Sequence, residues 1–296
     1  MRFIPEFFKE KLINEYGNDT FVEIEEELKK RRKTTFRVNT IKSTSDEIEK
    51  VLESKGLPFS KVDWYKDAFI LDEANEMDLQ ELDIYKDGKI YIQSLSSMIP
   101  PLVLDPKENE DILDMTAAPG GKTTEMAALS DNKAHITACE MNKIRIEKLK
   151  YNVDMQGAKG IFIMQKDSRQ IDDFFKFDKI LLDSPCSGSG TLLLNDEEEK
   201  YFTEELVSKS VKSQMQLLKK AFRILKKGGC IVYSTCSILK EENEEIIKNA
   251  LNGQRYEIEE ITIKDIPMLP TTINGTLCVK PSELYEGFFV SKIKKV

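Results

Sequence analysis

Short apolar strands alternate with helical segments from about residue 94 onward, and this alternation constrains the fold more than any other feature. Apolar runs such as "KILLD" and "CIVYS" are typical of strands that are buried on both faces. Strands separated by helices form a doubly wound, mostly parallel α/β sheet. We predict strands at 111–116, 135–140, 160–166, 178–183 and 230–235, helices at 121–130, 142–156, 203–227 and 240–251, and a closing antiparallel strand pair at "GTLCVK" and "EGFFVSKIK".

The first third of the chain has a different pattern. Helical spacing covers 5–16 and 19–32, and a β-rich segment follows at 34–41. A capping box at Thr44 and Glu47 begins another helix, and two further strands follow at "WYKDAFIL" and "GKIYIQS". A strand, helix, strand, strand order is common in small RNA-binding or accessory domains. We therefore predict an N-terminal α/β domain at 1–93 and a larger domain at 94–296.

Composition excludes several classes of protein. The 296 residues are 40% hydrophobic and 32% charged, and no apolar stretch approaches the length of a membrane span. The start of the chain is too polar and too acidic for a secretory signal, so we expect a cytoplasmic protein with no membrane partner. We also predict that the protein is a monomer. Five cysteines, a single histidine and no Cys-x-x-Cys pair argue against a disulfide framework, a metal site and a histidine-dependent hydrolase.

A tight turn of small residues joins the first predicted strand of the larger domain to its helix, in "DILDMTAAPGGKTTEMAAL". A phosphate-binding P-loop requires glycine where Thr116 stands, so "GGKT" is a partial match only. The G-x-G-x-x-G dinucleotide fingerprint is absent. S-adenosylmethionine needs only a close approach of the backbone to its amino-acid end. A turn that binds no ligand explains the glycines as well.

Acidic residues stand at or just past three successive strands, and they favour the methyl donor over a nucleotide. The carboxyl ends of parallel strands line the ligand crevice of such a sheet. Glu140 is placed to accept hydrogen bonds from both ribose hydroxyls, and Asp167 to accept one from the adenine amino group. Asp183 is expected near the reacting centre. We therefore predict S-adenosylmethionine as the cofactor.

Two cysteines interrupt small, polar, turn-forming residues at the ends of the last two parallel strands, in "DSPCSGSG" at Cys186 and "YSTCS" at Cys236. Neighbouring strands would bring both thiols beside the donor methyl group. Methylation of a pyrimidine at carbon 5 needs such thiols, because a thiolate must first add to carbon 6. Asp183 could then hydrogen-bond to ring nitrogen 3. The other three cysteines, Cys139, Cys230 and Cys278, fit the role of small buried hydrophobes.

Five segments, in order, resemble the Nop/Sun family of RNA cytosine-5 methyltransferases: "FRVNTIK", "DMTAAPGGKT", "DSPCSGSGTL", "STCSILKEENEE" and "EGFFVSKI". The resemblance implies a Rossmann-like class I methyltransferase fold, with Cys236 as nucleophile and Cys186 assisting release of the methylated base. It also implies that the segment around Arg37 and Asn39 packs against the catalytic domain. The residues that it assigns to the methyl donor are Thr116, Ala117, Ala118, Pro119, Gly120, Gly121, Lys122, Glu140, Asp167 and Asp183.

The chain departs from the family pattern at Leu193, Leu194, Lys240 and Cys278, where basic residues or a proline are usual. None of these positions touches the proposed chemistry, but they remove expected contacts to RNA.

An RNA substrate, transfer or ribosomal, would have to be held by local basic patches, because the net charge is −8. The densest basic run is "KKRRKTTFR", and a solvated helix end explains it equally well. The predicted RNA-binding residues are Lys29, Lys30, Arg31, Arg32, Lys33 and Arg37. Three hypotheses stand: an RNA cytosine-5 methyltransferase, a catalytically silent RNA-binding or ribosome-assembly factor that keeps the fold, and a nucleotide-dependent enzyme.

Overall fold

A computed structural model describes residues 4–194 and 202–296 of the chain. It contains two sheets, a four-stranded sheet near the N-terminus and an eight-stranded sheet that occupies most of the remainder. The predicted α/β fold class is confirmed, and the larger sheet has the Rossmann-like order of a class I methyltransferase. The acidic run "NDEEEK" at 195–200, for which the sequence predicts a solvated loop, lies outside the described residues.

The larger sheet has the strand order β10-β12-β9-β8-β5-β6-β7, with β11 paired to β12. The five strands from β5 to β9 run parallel, and β12 lies antiparallel to β9, β10 and β11. The pairing of β11 with β12 is the predicted closing pair. The strands are β5 (Asp111–Asp114), β6 (His135–Glu140), β7 (Ile161–Gln165), β8 (Phe177–Asp183), β9 (Leu225–Thr235), β10 (Tyr256–Glu259), β11 (Leu277–Val279) and β12 (Phe288–Lys295).

Helices cover both faces of this sheet, as the parallel crossovers require. They are α6 (Leu95–Leu104), α7 (Gly121–Leu129), α8 (Lys143–Gln156), α9 (Glu204–Ile224) and α10 (Glu244–Ala250), with 3₁₀ turns at Ser168–Gln170 and Lys240–Glu242. Two predicted boundaries are wrong. The helix predicted at 203–227 ends at Ile224, because buried Leu225 adopts an extended backbone and pairs with Phe177. The helix predicted at 240–251 is a 3₁₀ turn followed by the shorter α10.

The smaller sheet is antiparallel, in the order β2-β3-β1-β4, with β4 at its edge. Its strands are β1 (Thr35–Val38), β2 (Phe59–Val62), β3 (Tyr65–Leu71) and β4 (Ile90–Ile92), and its helices are α3 (Ser45–Ser54), α4 (Glu76–Gln80) and α5 (Asp83–Lys86). The capping box predicted at Thr44 and Glu47 is present at the start of α3. Phe36, Ile48 and Phe69 lie in the core between this sheet and its helices.

The first two helices, α1 (Glu6–Tyr16) and α2 (Asn18–Glu27), do not pack on the smaller sheet. Their apolar side chains, Phe8, Leu12 and Ile24 among them, are buried in the core that contains Leu113 and Ile180 of the larger sheet. The helix predicted at 19–32 ends at Glu27, so the basic run that follows lies in a turn and an extended segment. The division of the chain into domains at 93/94 stays a prediction. By their packing, α1 and α2 belong with the larger sheet.

Candidate active site

The ends of β8 and β9 bring the two cysteines of interest together. These strands are parallel neighbours, with Asp183 of one level with Ser234 of the other. Each strand ends in a short loop that carries a cysteine, and the sulfur atoms of Cys186 and Cys236 lie 2.7 Å apart. The pKa of the Cys186 thiol is raised well above its usual range, first by its hydrogen bond to Cys236, then by burial and by nearby negative charge. The thiol hydrogen between the two sulfur atoms can belong to either of them.

The two cysteine loops are interlocked through a close approach of backbone. The Gly190 amide donates to the carbonyl oxygen of Cys236 over 3.0 Å, and the Gly287 amide donates to the carbonyl oxygen of Gly190 over 2.8 Å. A Cβ atom at Gly190 would lie only 2.0 Å from the Gly287 carbonyl oxygen. These two glycines, of "SGSG" and "EGFF", therefore fix the distance between the Cys186 loop and the start of β12.

A buried carboxylate, Glu242, accepts hydrogen bonds from both loops. Its oxygens accept from the amide and hydroxyl of Ser187, next to Cys186, at 2.8 and 2.5 Å. They also accept from the hydroxyl of Ser237, next to Cys236, at 2.6 Å, and from the Gln214 amide at 3.1 Å. Burial raises the pKa of Glu242, and these hydrogen bonds oppose that shift. Sequence reasoning missed Glu242 and Gln214, because nothing in the acidic run "KEENEE" distinguishes a buried carboxylate from a solvated one.

Asp183 forms an ion pair with Lys122 beside the cysteine loops. The Lys122 ammonium donates to Asp183 Oδ2 over 2.6 Å and to the Ser97 hydroxyl over 2.7 Å, while the Ser234 hydroxyl donates to Asp183 Oδ1 over 2.8 Å. Burial lowers the pKa of Lys122, but the charge of Asp183, its hydrogen bond to Lys122 and the charge of Asp114 outweigh that effect, and the pKa is raised. Lys122 is therefore a charged donor adjoining an acceptor, in the wall of a cleft.

That cleft, of about 270 Å³, is the space between the small-residue turn and the smaller sheet. It is lined by the predicted residues Thr116, Ala117, Ala118, Pro119, Gly121, Lys122 and Asp183, together with Asp114, Ser97 and residues 91–94 of the smaller sheet. Gly120 has φ +109°, which favours glycine, and begins α7. Burial raises the pKa of Asp114, beneath the turn, to about 6.

Glu140 and Asp167 border an adjoining cavity of about 80 Å³, and Thr116 borders both spaces. Glu140 is buried, and one of its oxygens accepts from the Asn142 amide over 2.8 Å. Asp167 is paired with the Arg169 guanidinium, which lowers the pKa of the carboxyl. Two carboxylates beside a backbone turn match a ligand with a ribose diol, an amino-substituted base and an amino-acid end. The donor set therefore fits S-adenosylmethionine.

The predicted RNA-binding run separates into buried and surface residues. Lys29 and Lys30 pair with Glu26 and Glu27 of the preceding helix, which matches the alternative of a solvated helix end. Arg32 is half-buried and donates to the carbonyl oxygens of Gly190 and Thr191. Its neighbours Arg31 and Lys33 line, with Arg32, a cavity of about 590 Å³ between the two sheets.

The prediction that Arg37 contacts RNA is wrong, because its side chain is fully buried. Its guanidinium donates to the Gln93 side chain, the Gly121 carbonyl oxygen and the Thr124 hydroxyl, and it faces Glu125 at 3.7 Å. Asn39 likewise donates to the carbonyl oxygen of Gln156 in α8. These contacts hold the smaller sheet against the first helix after the small-residue turn. Gln93 and Glu125 are further residues that sequence reasoning missed.

Within the described ranges, 4–194 and 202–296, no cluster of three or more His, Cys, Asp or Glu side chains has the arrangement of a metal site. Nor does any helix within them have the length and apolar character that crossing a membrane requires.

Comparison with known proteins identifies relatives of both parts of the chain. The family model described as 16S rRNA methyltransferase RsmB/F matches residues 101–294. A second model, of the RsmF/B-like ferredoxin-like domain, matches residues 4–78. Curated relatives named ribosomal RNA small subunit methyltransferase F are 34% identical over 273 residues in Shewanella woodyi and 35% identical over 271 residues in Shewanella oneidensis. Each alignment covers 88% of this chain but only 57% of the relative, so the chain spans little more than half the length of those proteins.

Solved structures give the same result. A crystal structure of a methyltransferase homolog protein from Pyrococcus horikoshii superimposes with a TM-score of 0.87 and 34% identity, over 99% of this chain and 95% of that chain. NSun6 from Pyrococcus horikoshii, solved with SFG, superimposes with a TM-score of 0.88 over 99% of this chain and 98% of that chain, and at 24% identity it shows the shared fold alone. The resemblance to the Nop/Sun family is confirmed, and the chain belongs to the RsmB/F methyltransferase family.

Proposed function

We propose that the protein is an S-adenosylmethionine-dependent RNA cytosine-5 methyltransferase that forms a covalent adduct through Cys236. The observation that carries the proposal is the pair of thiols, 2.7 Å apart, beside the Lys122–Asp183 ion pair at the carboxyl edge of a Rossmann-like sheet. The curated relatives are named as methyltransferases of small-subunit ribosomal RNA, which favours this RNA over transfer RNA as the substrate. Activity as a monomer in the cytoplasm stays a prediction.

Residues of the two adjoining spaces would hold the methyl donor. Glu140 and Asp167 would accept hydrogen bonds from its ribose and adenine, and the turn from Thr116 to Lys122 would contact its amino-acid end. When bound, S-adenosylmethionine supplies an electrophilic methyl group. The buried Asp114, whose hydrogen bond from Thr123 is 2.6 Å long, holds the turn in place.

Cytosine is selected, on this proposal, by the ion pair that lines the cleft. Cytosine presents an amino donor at position 4 next to an acceptor at nitrogen 3. The Asp183 carboxylate can accept from the amino group, and the Lys122 ammonium can donate to nitrogen 3. Uracil presents the opposite pattern, an acceptor at position 4 and a donor at nitrogen 3. Mismatched polar groups in a buried site discriminate strongly, because each is left without a partner.

On this proposal Cys236 is the nucleophile, and Cys186 is the neighbouring thiol that assists release of the methylated base. Once deprotonated, the Cys236 sulfur would add to carbon 6, and the electron pair of the C5–C6 double bond would make carbon 5 nucleophilic. Carbon 5 would then take the methyl group as the bond between that group and the donor sulfur breaks. Bonding of Cys236 removes the hydrogen bond and charge that raise the pKa of Cys186. Cys186 can then lose its proton to solvent and accept the proton from carbon 5. The C5–C6 double bond re-forms, and the bond between Cys236 and carbon 6 breaks.

The test is a comparison of wild type, Cys186→Ala and Cys236→Ala with ribosomal RNA and methyl-labelled S-adenosylmethionine on a denaturing gel. We expect Cys186→Ala to accumulate a covalent protein–RNA band, because release fails, and Cys236→Ala to give neither the band nor labelled RNA. Cys230→Ala, a buried cysteine on β9 away from the loops, is the matched control and should behave as wild type. A band that depends on Cys186 and survives loss of Cys236 would reverse the two roles. Binding of RNA without a band or label in any variant would favour the silent binding factor.

A further inference from the structure

A second cavity opens from the cleft of the proposed active site, and three tyrosines line it. It measures about 310 Å³ and lies between α4, α5 and β4 of the N-terminal region and α8 of the larger sheet. Tyr91, Ile92 and Pro119 line both this cavity and the cleft. The other two tyrosines that line the cavity are Tyr85, of α5, and Tyr151, of α8.

Tyr91 forms a fixed wall between the two spaces. The Arg37 guanidinium carbon lies 5.0 Å from the centroid of its ring. Gly121 leaves room for the ring, because a Cβ atom at Gly121 would lie 3.0 Å from a ring carbon of Tyr91. Asn152 donates to the Pro119 carbonyl oxygen at 2.8 Å and to the Tyr91 hydroxyl at 3.4 Å. The cavity wall is therefore held by the same turn that lines the cleft.

Tyr151 has no packing role that explains it. Its side chain is 60% exposed on α8 and stands at the rim of the cavity. Tyr85, by contrast, packs partly into the core of the smaller sheet. Lysine and arginine do not line this cavity among the described residues, and its one carboxylate is the exposed Glu76. An uncharged, aromatic-lined space suits the flat face of a nucleobase better than a phosphate.

A neighbouring space has the complementary chemistry. The cavity of about 590 Å³ lined by Arg31, Arg32 and Lys33 shares residues 92–94 and Glu286 with the cleft, and it shares Glu76 and Ile92 with the tyrosine-lined cavity. The edge strand β4 borders all three spaces. Cations in one space that adjoins the cleft and tyrosines in another match a single nucleic-acid strand, whose phosphates and bases need different surfaces.

We propose that the tyrosine cavity is a stacking subsite for the unpaired base next to the target cytosine, with Tyr151 as its exposed platform. The proposal rests on the proposed function, since it takes single-stranded RNA as the occupant. An unpaired neighbour held in this way would keep the target cytosine out of the stack and in the cleft. Such holding offsets the few kcal/mol that unstacking costs.

The experiment uses fluorescence anisotropy with a single-stranded oligoribonucleotide that has one central cytosine, in the presence of S-adenosylhomocysteine. We expect Tyr151→Ala to weaken binding at least about fivefold, the equivalent of ~1 kcal/mol for one stacked base. Tyr151→Phe keeps the ring and should bind as wild type does. Phe162→Ala removes an aromatic ring of similar exposure, 62%, from the far edge strand β7 and should have no effect.

Abasic nucleotides identify the stacked base. With an abasic site on one side of the cytosine, wild type should fall to the affinity of Tyr151→Ala, and the variant should lose nothing further. An abasic site on the other side should weaken both proteins equally. Equal binding of wild type and Tyr151→Ala to the intact strand would overturn the proposal, as would a loss in Tyr151→Ala that neither abasic site removes.

Methyl transfer to ribosomal RNA separates this inference from the proposed function. Transfer by wild type without any effect of Tyr151→Ala on strand binding would overturn the stacking subsite alone. A Tyr151 effect in a protein that transfers no methyl group would leave the subsite and overturn the proposed activity. If wild type methylates ribosomal RNA but does not bind the single strand, the subsite is overturned and a folded RNA is the occupant instead.

Discussion

Two buried glutamates, Glu242 and Glu125, differ in the groups that the protein places around their carboxylates. Glu242, beneath the cysteine loops, accepts hydrogen bonds from three uncharged side chains and one backbone amide. Glu125, at the junction of the two sheets, accepts one hydrogen bond, from Gln93 at 2.8 Å, and faces the Arg37 guanidinium at 3.7 Å. The first carboxylate is held by hydrogen bonding and the second mainly by an opposite charge.

The difference separates a carboxylate that positions the cysteine loops from one that attaches the smaller sheet to α7. Two of the donors to Glu242 are adjacent in sequence to the two cysteines, so a shift of this carboxylate would move both thiols. Glu125 and Arg37 connect α7 to β1 and lie farther from the sulfur atoms in the hydrogen-bond network. Losing the first arrangement should therefore impair chemistry and stability together, whereas changes in the second should mainly alter stability.

The largest effect is expected for Glu242→Ala. The buried hydroxyls of Ser187 and Ser237 and the amide of Gln214 would lose their shared acceptor, and the free energy of unfolding should fall by about 3 kcal/mol. Methyl transfer to ribosomal RNA should fall on the order of a hundredfold, because misplacement of reacting groups by about 1 Å costs that much. Urea unfolding and initial rates measure the two effects.

Glu241→Ala is the matched control for that variant. This neighbour is exposed enough to form only a surface ion pair with Lys11, at 2.6 Å, and its loss should cost less than about 1 kcal/mol. If Glu242→Ala lost stability but kept the wild-type rate at a temperature where it is folded, Glu242 would have no part in placing the cysteines.

A smaller effect is expected from the titration of Glu125. Burial raises the pKa of this carboxyl to about 7, against the lowering effect of Arg37. The folded protein therefore keeps a proton that the unfolded chain releases near pH 4.5, and the resulting stabilisation, present at low pH, is lost as pH rises to about 7. The free energy of unfolding should fall by about 2 kcal/mol more between pH 5 and pH 8 in wild type than in Glu125→Gln.

The comparison of the two proteins is needed because other groups titrate in the same direction. Burial raises the pKa of Asp114 to about 6 and that of Glu15 to about 7, and both remain in the variant. Denaturant unfolding at several pH values gives the difference. Parallel pH profiles for wild type and Glu125→Gln would show that Glu125 does not hold a proton near neutrality. Glu245→Gln, the same substitution at an exposed glutamate, is the control and should leave the pH profile of stability as in wild type.

The sequence predicts the parts of this site that depend on local pattern. Buried strands followed by "DSPC" and "STC" place Cys186 and Cys236 at one edge of a parallel sheet, because adjacent strand ends share that edge. The turn from Thr116 to Lys122 is predictable for the same reason, since small residues and glycines are required where a strand turns sharply into a helix.

Burial of charged residues could not be predicted from local pattern. Arg37 stands in a basic run and Glu242 in an acidic one, yet both are fully buried. Their partners are far along the chain, since Thr124 lies 87 residues from Arg37 and Ser187 lies 55 residues from Glu242. Only the tertiary fold decides which member of a charge run turns inward.

The surroundings of Lys240, one of the departures from the family pattern, likewise depend on the tertiary fold. Lys240 stands where a proline is usual, and the structure gives it partners on α1, which the sequence places in another domain. Its backbone amide donates to the Glu15 carboxylate over 3.0 Å, its ammonium donates to the Glu15 carbonyl oxygen over 2.9 Å, and it lies over the Tyr16 ring. The packing of α1 on the larger sheet thus supports the loop that follows Cys236.

The smallest effect in the comparison of the two glutamates is expected for the individual donors to Glu242. Ser187→Ala and Ser237→Ala each remove one hydroxyl, and the carboxylate keeps its other donors, so each should lower the free energy of unfolding by about 1 kcal/mol. The two variants differ in which thiol they loosen. Ser237→Ala should slow formation of the covalent adduct, because Ser237 follows Cys236, whereas Ser187→Ala should slow its release, because Ser187 follows Cys186. Rapid-quench measurement of adduct and labelled product distinguishes the two, and identical kinetics in both variants would mean that Glu242 holds the loops as one unit.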